Sequence, residues 1–195
     1  MSQINTNAIL DASGGTTTSI NGYTPTVSNM AGRNRLINSD MRIDQRNAGA
    51  SVTPTNGQYS LDRWKYYSSQ TSKVSIQQNA SSVTPPAGFK NYLGVTSLSA
   101  YSVTASDYFT ITQLVEGFNM ADFGYGAAGA STVTLSFWVR SSLTGTFGGS
   151  LTNDVANYAY PFTYSISVAN TWEQKSITIT GATAGTWQST NAAGL

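Results

Sequence analysis

The chain has 195 residues, a net charge of +1 and charged side chains at only 10% of positions, so it has room for one ordinary domain plus an extension and carries no electrostatic footprint for nucleic acid. Cysteine and histidine are both absent, which removes disulfides, thiol nucleophiles, thiolate metal sites and the commonest general base together. The apolar runs are too short to span a bilayer, and no basic segment followed by an apolar stretch marks a secretory signal, so neither membrane insertion nor a cleaved leader is expected.

Residues 1–32, MSQINTNAILDASGGTTTSINGYTPTVSNMAG, hold one charged side chain, Asp11, and two short apolar patches at Ala8 to Leu10 and Ile20 to Tyr23. Such an arm buries too little apolar surface to fold alone, and the expectation is that it orders against a partner. Ile9, Leu10, Ile20 and Tyr23 are its docking candidates. The next stretch, Arg33 to Tyr67, concentrates nearly half of the charged residues of the chain. Met41 and Ile43 alternate there with Asp40, Arg42 and Asp44, as a half-buried edge strand would. Guanidinium groups bind carboxylates bidentately, so Arg33, Arg35, Arg42 and Arg46, with Arg63 and with Asp40, Asp44 and Asp62, form a candidate ion-pair network within the domain or between subunits. A solvated mixed-charge face is the alternative.

From Tyr59 onward, strand patterns follow one another with turn signals between them: Arg63 to Tyr67, Lys73 to Gln77, Leu93 to Ser97, Tyr108 to Leu114, Thr132 to Arg140, Tyr164 to Val168 and Lys175 to Thr180. No amphipathic helix is expected. Val133, Leu135, Phe137 and Val139 define one face of the clearest strand, which places Trp138 and Arg140 opposite the apolar stripe. Pro85 to Gly88, Gly145 to Gly149 and Asn153 to Pro161 read as loops. Abundant Ser, Thr, Gly and Asn fit pleated strands joined by turns.

Aromatic residues supply the best candidate for ligand chemistry. Flat rings stack on the C–H faces of pyranose sugars while polar neighbours bond the hydroxyls. Trp64 and Trp172 fall within the strand pattern and are expected in the core, whereas Trp138, Arg140, Tyr158 and Tyr160 are the glycan-binding candidates. Glu116, Asp122, Asp154 and Glu173 are the acids from which a glycosidase would draw its paired carboxylates, at a separation that a sequence does not display; scattered acids on a polar chain need no catalytic explanation, so an enzyme ranks third and no catalytic residue is assigned. Asp107, Asp122 and Asp154 lack calcium-loop spacing, so neither a metal nor another cofactor is expected. Gly124 to Gly129 lacks the lysine of a phosphate loop and reads as a turn.

The run Asn34-Arg35-Leu36-Ile37-Asn38, Met41, Ile43, Gln45-Arg46-Asn47, followed by a Pro and Asn-Gly gap and by Tyr59, Asp62-Arg63-Trp64, resembles the start of a jelly-roll module in tail-fibre and appendage proteins of tailed bacteriophages, marine and cyanobacterial ones especially. The likeness continues through Gln113 to Asn119, Val133 to Ser142, Thr144 to Phe147, Thr171 to Glu173 and Ile177 to Gly181, which are similar to successive strands of carbohydrate-binding-module-like jelly rolls in phage proteins. The segment ILDASGGTTTSINGYTPT also resembles the leading sequence of such appendage proteins.

The resemblance implies an all-β, jelly-roll-like β-sandwich over residues 33–195, preceded by the extended arm 1–32. It implies a non-enzymatic structural protein of the virion, a fibre or appendage subunit docked through its arm to other tail or capsid proteins, which contacts host surface polysaccharide. A carbohydrate-binding module or a capsid decoration protein is the alternative. A homo-oligomer, by likeness to fibres a trimer, is expected. Proteins of this pattern continue with further strands after Gly185 to Trp187, so a chain ending at Leu195 is expected to be truncated and to leave an edge for a neighbouring subunit to cover.

Overall fold

The computed structural model describes residues 34–195, and Leu36–Leu195 forms one compact unit. The docking candidates Ile9, Leu10, Ile20, Tyr23 and Arg33 lie outside the described residues, and Arg35 precedes the compact unit. This unit is all-β, with nine strands and, among the described residues, no α-helix; single 3₁₀ turns at Ala80–Ser82, Gly117–Asn119 and Ala121–Phe123 are its helical geometry.

The strands are β1 Gln58–Leu61, β2 Trp64–Ser68, β3 Val74–Gln78, β4 Leu93–Ser97, β5 Phe109–Gln113, β6 Val133–Val139, β7 Gly145–Thr152, β8 Ala159–Ile166 and β9 Glu173–Ile179. They pair antiparallel in four small sheets ordered β1-β2-β5, β3-β4, β6-β9 and β7-β8. Leu61, Ile76, Ile166 and Ile179, drawn one from each of these sheets in β1, β3, β8 and β9, together with Met120 between two 3₁₀ turns, supply the largest fully buried apolar side chains. Tyr66 and Val115 are buried as well.

The segment Asp40 to Asp44, expected as an edge strand, is not a strand. Asn38 and Met41 both adopt positive φ, which breaks the extended backbone that the alternation of Met41 and Ile43 suggested. Local side-chain hydrogen bonds hold the turns in its place. The Asn38 amide donates to the carbonyls of Ile43 and Asp62 at 2.8 and 2.9 Å and accepts the Ile43 N–H at 2.8 Å. Asp44 accepts the N–H groups of Asn47 and Gly49, and Asp62 accepts that of Gln45. Of the expected Arg–Asp network the structure shows an exposed Arg42–Asp40 pair at 3.0 Å and a longer Arg46–Asp62 contact at 3.7 Å, while Asp44 serves backbone amides. Arg63 turns away from those acids. It sits at φ 75 in the two-residue β1–β2 turn and is held by Glu116 at 2.8 Å and the Leu114 carbonyl at 2.9 Å.

Two sheets set up the region of interest. In β6 the stripe Val133, Leu135, Phe137 and Val139 is half-buried while Thr134, Ser136 and Trp138 are exposed, which matches the alternation in the sequence. Phe137 meets Tyr164 of β8 edge to face at 5.1 Å, so the apolar faces of β6-β9 and β7-β8 look at each other. Both Gly145 to Gly149 and the end of Asn153 to Pro161, expected as loops, are strand. Phe147 stacks on Tyr164 at 5.9 Å, and the Phe162 ring lies over Gly149, so cross-strand aromatics fill the space that the glycines leave open.

The C-terminal residues run back beside the segment after β5. Val115 donates to the Leu195 carbonyl at 3.0 Å, Gly117 to Ala192 at 2.7 Å and Phe118 to Thr190 at 2.8 Å. Gly194 packs on Met120, where a Cβ would collide with the thioether. The C-terminal segment thus contributes a bridge, Glu116 to Ala193, although it forms no full strand.

Candidate functional site

Where the β7-β8 hairpin parts from the end of β9, an aromatic cleft of about 300 Å³ opens. Leu151 and Tyr160 face each other across the hairpin and extend its apolar face beyond Phe162. Ile179 to Thr183 form another wall, and Tyr125, Tyr158 and Trp187 close the remaining sides. No charged side chain lines it.

Each aromatic wall is placed by a local device. Tyr160 remains 38% exposed at the start of β8, with its hydroxyl 3.5 Å from the Thr178 carbonyl. Tyr158 is 43% exposed at the hairpin turn, against Gly185. Gly185 adopts φ 92, and a Cβ there would stand 2.6 Å from the Tyr158 ring. Trp187 donates its indole N–H to the Ala184 carbonyl at 3.0 Å and receives the Tyr125 ring edge to face at 5.0 Å. Gly126, at φ 90, donates its N–H to Ala182 at 2.8 Å and approaches Gly185 too closely for a side chain.

Asn153 ties these pieces together. It is 2% exposed, its Oδ1 accepts the N–H groups of Asn157 and Tyr158 at 3.0 and 3.1 Å, and its Nδ2 donates to Asn157 Oδ1 at 2.7 Å and to the Thr186 carbonyl at 3.1 Å. One buried amide thereby couples the hairpin turn that carries Tyr158 to the segment that carries Trp187.

Tyr125 differs from the other walls. Its hydroxyl is buried and, among the described residues, has no hydrogen-bond partner. Burial pushes the phenol above its ordinary pKa, so it stays protonated and able both to donate and to accept.

The four glycan candidates read from the sequence separate in space. Tyr158 and Tyr160 share the cleft, while Trp138 and Arg140 do not line it. Trp138 is 39% exposed on the outer face of β6-β9, opposite Gln174, and the Arg140 Nε donates to the Asn170 carbonyl at 2.9 Å. Tyr125 and Leu151 were not singled out from the sequence, and Trp187 stood there only as one of a large aromatic set. For the two aromatics the signal is a ring close to a glycine in a turn, at Tyr125-Gly126 and at Gly185-Thr186-Trp187. Trp64 and Trp172, expected in the core, are half-buried and donate to the Asn38 and Thr84 carbonyls, with Trp172 edge to face on Tyr92 at 5.5 Å.

The acids considered for catalysis or calcium have structural partners or lie in loops. Glu173 accepts the N–H groups of Ser167 and Val168 and pairs with Lys175 at 2.6 Å, which holds its carboxyl down at about 2. Asp107 accepts from Thr104, Ser69, Gln70 and Tyr101, and these bonds hold it far below the usual carboxylate range. Asp154 is an exposed loop residue and Asp122 lies in the Ala121–Phe123 turn. Among the described residues, no group of three or more acids comes together as a metal site. A second, smaller cleft of about 170 Å³ is lined by Tyr59, Arg63, Leu114, Glu116, Asn191 and Ala193.

No family model, no curated protein and no solved structure matches this chain. The geometry itself defines an all-β unit with a neutral, aromatic-walled cleft between two of its small sheets.

Proposed function

We propose that the chain is a non-enzymatic structural protein of a tailed-phage particle, a fibre or appendage subunit that docks through residues 1–32 and presents a saccharide-binding cleft to the host surface. The observation that carries the binding half is the cleft walled by Tyr125, Tyr158, Tyr160 and Trp187, because ring faces and edges beside backbone polar groups suit pyranose rings. The particle half is supported by the sequence pattern around Arg33 to Trp64 and by the weakly charged arm that precedes it.

On this reading the small sheets are parts of a jelly-roll-like sandwich, a view supported by the ring contact of Phe137 with Tyr164 across two of them. Among the described residues, only β2 is paired by strands along both edges, so neighbouring copies in a homo-oligomer have edges to cover. A trimer follows from the likeness to fibres. Several copies would turn weak sugar contacts into useful avidity.

The test is to assemble particles with the full chain, with a chain lacking Met1 to Gly32, and with Tyr160→Ala. The truncated chain is expected to fold and to be missing from particles; the Tyr160→Ala chain is expected to be incorporated while adsorption to the host falls. Truncated protein found on particles would reject the arm as the anchor. Unchanged adsorption by Tyr160→Ala particles would reject the cleft as the receptor site.

A further inference from the structure

We propose that the outer face of the β6-β9 pair continues the cleft as a track for an extended saccharide chain, with Trp138 as a second stacking platform at the far end. This rests on the saccharide-binding reading above and adds that the ligand is a linear oligosaccharide held along its length, beyond the sugars that the cleft encloses.

The strand register lays out the track. Successive residues of a strand point to opposite faces, so Gln174, Ser176 and Thr178 of β9 lie on the same side as their partners Trp138, Ser136 and Thr134 of β6. All six are exposed, while Lys175, Ile177 and Ile179 between them turn toward the interior. The alternation runs one residue past β9 to Thr180, which is exposed and lines the cleft. The row Gln174, Ser176, Thr178, Thr180 therefore leads from beside Trp138 into the cleft, a path of about 20 Å at the rise of an extended chain. Tyr160, a wall of the cleft, stands beside this row with its hydroxyl 3.5 Å from the Thr178 carbonyl.

The chemistry of the row suits a chain of sugars. Among the described residues, the side chains of Thr134, Ser136, Gln174, Ser176 and Thr178 have no hydrogen-bond partner within the protein. Hydroxyls and an amide both donate and accept, so they match sugar hydroxyls in either sense. Trp138 is the one large apolar side chain that the two strands put on this face, and it stands directly across from Gln174. A ring beside an amide holds a pyranose by its C–H face and its hydroxyls together. One exposed tryptophan is ordinary for a protein surface. Its place at the end of a free polar row that opens into an aromatic cleft is what points to a chain ligand. The cleft alone, at about 300 Å³, lies at the small end of the range for ligand sites.

The experiment is calorimetric titration of the full chain, of Trp138→Ala and of Gln174→Ala with linear gluco-, galacto-, manno- and uronate oligosaccharides, each series running from the dimer to the octamer. In a series that binds, affinity is expected to rise at least about tenfold from dimer to octamer, because one ligand then engages both aromatic ends. Trp138→Ala is expected to weaken octamer binding about tenfold and so to flatten the length dependence, with the thermal midpoint close to that of the parent chain because the ring stands on an open face. Gln174→Ala probes the same end of the track without removing a ring and is expected to weaken octamer binding about threefold. Equal affinity for dimer and octamer, or octamer binding unmoved by both substitutions, would overturn the track and leave the cleft as the whole site. Binding of no series would overturn both.

Discussion

Gly185 shows how much of the cleft depends on the absence of one carbon. Its φ of 92 is a conformation that side chains rarely adopt, and the position that a Cβ would take is already filled by the Tyr158 ring. Gly126 faces it with the same requirement, its missing Cβ pointing at the Gly185 carbonyl oxygen. Gly185→Ala is therefore expected to cost about 1–3 kcal/mol from backbone strain and overpacking, and to weaken saccharide binding by displacing Tyr158. Urea denaturation of the two proteins checks this, and a variant of unchanged stability would mean that the ring moves aside freely. A sequence displays Gly-Thr-Trp plainly enough, but φ and the ring across the chain are facts of tertiary structure. Gly185 to Trp187 read only as the point past which further strands were expected, which left Trp187 as one aromatic among many, and Tyr125 stood in a segment taken as a plain turn.

The β7-β8 hairpin marks the limit of legibility among the elements. Val133 to Val139 declared itself because large and small polar residues alternate with apolar ones at period two, and β6 is the strand where pattern and structure agree residue by residue. Gly145 to Gly149 carries turn residues instead, and its strand character comes from the partner, whose Phe162 covers Gly149 and whose Tyr164 stacks on Phe147. Met41 to Ile43 errs the other way, alternating like a strand while Asn38, Asp44 and Asp62 fold the backbone into turns. The hairpin turn depends most on Asn153, whose buried amide meets two backbone N–H groups on one side and the Thr186 carbonyl on the other. Asn153→Ala leaves those groups without partners and is expected to cost about 2–4 kcal/mol. Hydrogen exchange should show the loss of protection concentrated at Asn157 and Tyr158; uniform loosening of the whole sheet would argue against a local role.

At the scale of the whole molecule, composition sets the response to pH. Without histidine, no side chain has an ordinary pKa between about 5 and 8. The resolved shifts widen that gap. Hydrogen bonds from Thr104, Ser69 and Gln70 lower Asp107; a backbone hydrogen bond and Arg63 lower Glu116; and Lys175 with the Val168 amide lowers Glu173 to about 2. A carboxylate whose folded pKa lies below its unfolded value of about 4 contributes stability that is complete above the unfolded value and lost as pH falls toward the folded one. Burial raises Tyr125 and Tyr164, and these favour the fold below about 10 and cease to as pH climbs past it. The urea midpoint should accordingly be flat from about pH 5.5 to 9 and fall on the acid side below about pH 4.5. Glu173→Gln retains a side-chain oxygen for the Ser167 and Val168 amides but loses the charge that pairs with Lys175, so it should lower the plateau and make the acid limb shallower. A midpoint that moves by a full proton's slope near pH 6.5 would require a strongly shifted carboxylate elsewhere in the chain, and would overturn the view that its few charged groups act as fixed ties between turns.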